Sequence, residues 1–113
     1  MDTAWQPNET LSELVAAGFA DAVAELIQDF RQDTAMRLNR LRMALHLGEL
    51  VAVRKEAHSI KGSALQMGAA EVATLARRIE AAEAINGVYS DFERLESALE
   101  ESYQGMRAYL EGK

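Results

Sequence analysis

Apolar residues recur every three or four positions along nearly all of this chain, and the alternation of β-branched and polar residues that marks a strand is missing. That pattern predicts an all-α fold. Val23, Ile27, Phe30, Thr34, Leu38, Leu41 and Leu45 define the inner side of a long helix from about Ala20 to His46, ended by Gly48. His46 at its end complements the helix dipole. Ahead of it, Thr10 and Glu13 fit a capping box opening a short helix, with Leu11, Leu14 and Val15 inward and Gly18 at its end. A third helix is expected from about Glu49 to Met67, with Gly68 as a left-handed cap. A fourth, from about Ala70 to Ile85, buries Val72, Leu75, Ala76 and Ile79 before Asn86-Gly87 breaks it. Ser90 and Glu93 make a second capping box, opening a last helix that presents Phe92, Leu95, Leu99, Met106 and Leu110.

Four long helices joined by short turns predict an antiparallel up-down-up-down four-helix bundle over about residues 20–110, with a short accessory N-terminal helix. Residues 1–9 form an arm from which Trp5 folds back onto the bundle, while Met36, Met43 and Met106 are expected to fill core gaps. The chain of 113 residues has one proline, Pro7, and no repeat or linker to divide it, so residues 1–113 read as a single domain. With no cysteine there is neither a disulfide nor a thiolate ligand, which points to the cytoplasm. No stretch approaches the ~18 apolar residues of a membrane span, and the N-terminus lacks a signal-peptide core.

A net charge of −6 argues against nucleic acid as a partner. The charge is uneven, however. Between Val51 and Ile79 stand Arg54, Lys55, Lys61, Arg77 and Arg78 against only Glu56 and Glu71, a positive stretch in an acidic chain. It surrounds the sequence AHSIKGSALQMGA, residues 57–69.

At about 100° per residue, the third helix turns Val53, Ala57, Ile60, Ala64 and Met67 inward and His58 outward. Within about 60° of His58 lie Val51, Arg54, Lys55, Lys61, Gly62 and Leu65. Side chains on a helix lean toward its N-terminus, so a glycine four residues after the histidine leaves the imidazole uncovered. The cost is roughly 1 kcal/mol of helix propensity against alanine. Lys61 offers a positive charge to an anion on His58, and Val51 and Leu65 offer the apolar centre of a docking surface. Arg54 and Lys55, with Arg77 and Arg78, are expected to steer a partner rather than only to solvate the face. Glu80 and His58 are each eleven residues from Ala69, so a carboxylate is expected beside the imidazole, holding Nδ1–H and leaving the Nε2 lone pair outward. A surface pair with Arg77 is the competing role for Glu80.

HSIKGSALQMG closely resembles the motif of the histidine phosphotransfer (HPt) domain family, H-x-x-K-G with a further glycine, here Gly68, ten residues after the histidine. The resemblance extends over nearly the whole chain and implies a helical bundle carrying the motif on a central helix. It implies that His58 is the phosphorylated residue, that Lys61 and Gly62 are the motif lysine and glycine, and that Glu80 stands where many members place a Glu or Gln bonded to the imidazole. HSIKG is also similar to the phosphotransfer domain of chemotaxis-type kinases, but no ATP-binding core follows it, so self-phosphorylation is not expected. The phosphoryl group would then come from one receiver-domain aspartate, on a hybrid histidine kinase, and pass to another, on a response regulator. Mg²⁺ is expected on the receiver, and no cofactor on this chain, which is expected to be a monomer. A module of the same fold that binds or sequesters a receiver without being phosphorylated is the alternative, and a purely structural bundle a third. Two histidines twelve apart, with no cysteine and no H-E-x-x-H, predict no metal site.

Overall fold

The computed structural model describes residues 5–112, and residues 1–4 of the expected arm lie outside them. Among the described residues there are five α-helices and one short 3-10 turn, and no strand. The helices are α1 (Glu9–Ala16), α2 (Ala20–Leu47), α3 (Leu50–Met67), α4 (Ala70–Glu80) and α5 (Tyr89–Glu111), with the 3-10 turn at Ile85–Gly87 between the last two. Each helix from α2 to α5 packs on the next, α5 also packs on α2, and α1 rests on α2. Val23, Leu41, Val53, Ile60, Ile79, Leu95, Leu99 and Met106 are fully buried where these helices meet.

Both ends of α3 are fixed by the same device. Gly48 and Gly68 each adopt φ of +72°, a left-handed conformation that costs glycine little. Gly48 N–H donates to Leu45 O at 3.1 Å and Glu49 N–H to Ala44 O at 2.9 Å, and Gly68 and Ala69 repeat the pattern on Leu65 and Ala64. Each helix therefore stops at its glycine and the next begins two residues later, which brings α2 and α4 against α3. The arm completes the far end of α3. Trp5, 6% exposed, donates its indole N–H to Met67 O at 2.9 Å, and Asn8 donates its amide to Gln66 O at 3.0 Å. Two carbonyls that a helix terminus otherwise leaves unpaired are thereby satisfied.

Four local expectations need correction. The N-cap of α1 is Asn8, whose Oδ1 accepts from Leu11 N at 2.8 Å, and Thr10 lies inside the helix. The Ser90–Glu93 box does not form either, because α5 starts at Tyr89 behind a buried Val88 and has no side-chain cap. Helix α4 ends at Glu80, five residues before Ile85, where Ala82 N–H turns back to Ile79 O at 3.1 Å and Ile85 enters the 3-10 turn. Met36 and Met43 are 43% and 61% exposed, whereas Met106 is buried as expected. At about 100° per residue both methionines fall on the side of α2 opposite its buried series.

No helix among the described residues is long and apolar enough to cross a membrane.

Candidate functional site

Three donors of α3 converge on one residue of α4. His58 Nδ1 lies 2.6 Å from Glu80 Oε2, Lys61 Nζ lies 2.7 Å from Glu80 Oε1, and Arg54 Nε donates to the Glu80 backbone carbonyl at 2.7 Å. Positions 54, 58 and 61 are spaced by four and three, so they form one stripe along α3 on the side facing α4. Glu80 is the last residue of α4, and its carbonyl is one that the helix itself leaves unpaired. Arg54 fixes that backbone, and Lys61 and His58 divide the carboxylate.

The Lys61 hydrogen bond, with a smaller contribution from His58, holds the Glu80 carboxyl below its ordinary range, against the opposing effect of partial burial. An ionised carboxylate can only accept. The proton between it and His58 therefore sits on Nδ1, and Nε2 of a neutral imidazole carries the lone pair. The His58 side chain is 66% exposed, and Nε2 makes no hydrogen bond among the described residues. A Cβ at Gly62 would meet nothing within 4 Å, so the space beside the ring is open. The result is a solvent-facing imidazole nitrogen, with the ring oriented from behind by a carboxylate.

A group whose pKa is lower folded than unfolded adds stability above the ordinary carboxylate pKa and loses it as pH falls through the lowered value. The difference in urea-unfolding free energy between the wild type and Glu80→Gln is thus expected to be largest near neutrality and to shrink in acid. A difference that persists unchanged down to about pH 3 contradicts the ionised clamp.

Val51 and Leu65 are 82% and 63% exposed on the same face as His58, and Lys55 is exposed without an ion pair among the described residues. Arg54 is exposed on the same face, and its Nε donates to the carbonyl at the end of α4. Lys61 likewise holds Glu80 rather than standing free, and Glu80 takes His58 and Lys61 instead of Arg77. Arg78 turns to the other side and grips Asp91 of α5, with nitrogen–oxygen distances of 3.3 and 3.2 Å. Of the five cations in this stretch, Lys55 and Arg77 are the two without a polar partner among the described residues. The sequence did hold a signal for Arg54, since its spacing to His58 and Lys61 places it on the stripe facing α4. Among the described residues no three His, Asp or Glu side chains gather to hold a metal ion.

The model of the Hpt domain family matches residues 25–109. The crystal structure of histidine-containing phosphotransfer protein B (HptB) from Pseudomonas aeruginosa PAO1 superposes with a TM-score of 0.79 at 23% identity, covering 98% of this chain and 99% of that one. That likeness shows a shared fold. No curated protein sequence gives a significant match. The family match spans α3, α4 and most of α2 and α5, with the His58–Glu80 pair inside it, and the chain belongs to the Hpt domain family of histidine phosphotransfer proteins.

Proposed function

We propose that His58 is the phosphorelay residue of this chain, taking a phosphoryl group from one receiver-domain aspartate and giving it to another. The observation that carries this reading is the His58–Glu80 pair, at 2.6 Å on Nδ1, with Nε2 exposed beside Gly62. In the forward step the Nε2 lone pair attacks phosphorus in line. The N–P bond forms as the bond from phosphorus to the aspartyl oxygen breaks, and the receiver carboxylate leaves with the electron pair. The proton on Nδ1 stays where it is. The positive charge that grows on the imidazole is balanced by the Glu80 carboxylate, which is already in place and needs no reorganisation. Phosphoryl transfer depends mainly on positioning and charge.

Lys61, three residues from His58, supplies positive charge near the phosphoryl oxygens, and Gly62 admits the receiver. Val51, Arg54, Lys55 and Leu65 line the docking face, with Arg54 also holding the end of α4. The receiver brings the aspartate and its Mg²⁺, and this chain needs no cofactor. The four long helices read as an antiparallel up-down-up-down bundle with α1 as an accessory, one domain over residues 1–113, monomeric and cytoplasmic. A receiver-sequestering module would have no use for a carboxylate orienting the imidazole.

The test is transfer of labelled phosphate from a purified phospho-receiver to this chain with no ATP present. Label is expected on this chain within minutes for at least one receiver from the same organism. Label that stays on every receiver contradicts the proposal.

A further inference from the structure

Two clefts of opposite charge flank α3 on the C-terminal side of His58. The one between α2 and α3, about 220 Å³, is lined by Asp29 and Asp33, with Leu26 and Phe30 as its apolar wall and Ser63 on the α3 side. The one between α3 and α4, about 240 Å³, is lined by Lys61, Leu65, Ala73 and Arg77. Polar capacity in both is unspent. Asp33 uses Oδ2 for Arg37 at 3.1 Å and for Ser63 Oγ at 3.4 Å, leaving Oδ1 free among the described residues. Asp29 has no hydrogen bond or ion pair among the described residues, and neither has Arg77 across the helix.

Both clefts lie within reach of a partner centred on His58. Ser63 is five residues along α3, roughly 7.5 Å of rise, and Arg77 is three residues along α4 from Glu80, roughly 4.5 Å. A standard interface covers about 800 Å² on each partner, a disc of roughly 16 Å radius. A receiver of that footprint that is centred on His58 and spread over the α2–α3 and α3–α4 grooves covers both.

From this polarity, and resting on the phosphotransfer reading above, we infer that the receiver docks in one fixed orientation set by Asp29 and Arg77. A lysine or arginine of the receiver lies with its aliphatic stem on Leu26 and Phe30 and its charged end at Asp29 and Asp33. An aspartate or glutamate of the receiver meets Arg77 on the opposite side of α3. Long cationic side chains suit a cleft with an apolar wall and a carboxylate rim. Complementary charges placed apart select an orientation and reject partners of the reverse polarity.

This differs from steering by a uniformly basic face, and opposite charge changes separate the two. Asp29→Lys makes the face more positive and Arg77→Glu makes it more negative. The rate of transfer from a cognate phospho-receiver is measured for each as a function of receiver concentration. With fixed polarity, both variants transfer about tenfold more slowly at low receiver concentration, the loss lies in the apparent KM, and the double variant is slowest. Both losses shrink at about 0.5 M salt. Circular dichroism of each variant checks that helicity is kept. If Asp29→Lys transfers as fast as the wild type or faster, the inference is overturned, whether Arg77→Glu is slow or not. If the wild-type chain takes label from no receiver, the phosphotransfer reading fails and this inference fails with it.

Discussion

Replacing His58 with glutamine is expected to leave the helices intact and to remove phosphotransfer altogether. The side chain is 66% exposed, and its one polar contact among the described residues is with Glu80, which keeps its Lys61 bond and the Arg54 bond to its carbonyl. Nothing in the core depends on the ring. Glutamine offers an amide in place of a nitrogen lone pair, so no N–P bond can form. Deleting an enzymatic nucleophile commonly costs on the order of 10⁶ in rate, which puts the residual transfer below detection. The measurement is label uptake from a phospho-receiver, with helicity followed by circular dichroism. A variant that still takes label removes His58 from the mechanism.

Substitution at Gly62 is expected to move stability and transfer in opposite directions. A Cβ there would meet nothing within 4 Å, so Gly62→Ala meets no clash and gains up to about 1 kcal/mol of helix stability. Gly62→Gln gains nearly as much, but its longer side chain leans back over the ring of His58, one turn earlier. Misplacing reacting groups by about 1 Å can cost a hundredfold in rate, and Gly62→Gln is expected to slow transfer by about that factor while raising the midpoint of thermal unfolding. Gly62→Ala should retain most of its rate. Equal transfer rates in the wild type and Gly62→Gln would mean that the glycine does not serve access.

The boundaries of α2 and α3 were legible to within a residue or so because Gly48 and Gly68 each force a left-handed turn, a signal local to one position. Glu80 was legible because counting equal lengths from Ala69 needs only the turn and the helical rise. The caps were not. Asn8 and Thr10 both have side chains suited to capping, and Asn8, which caps α1, also donates to Gln66, 58 residues away, a contact no local pattern reveals. The end of α4 was hidden for a similar reason, since Ile85 continues the apolar spacing, yet the chain turns at Glu80 under the hand of Arg54. A helical wheel shows which side of α3 a residue occupies but not what stands across from it. The bonds from Arg54 and Lys61 to Glu80 are therefore visible only once α4 is in place. Met36 and Met43 failed differently, because their residue type suggested burial while their position on α2 faces solvent.

The most direct measurement is the chemistry and position of the phosphate on wild-type chain that has been charged by a phospho-receiver. The label is expected to be lost in acid, to survive alkali, and to map to the peptide containing His58, as a phosphoryl group on imidazole nitrogen must. Acid-stable label on Ser59 or Ser63, or label on any peptide lacking His58, would contradict the assignment of Nε2 of His58 as the acceptor.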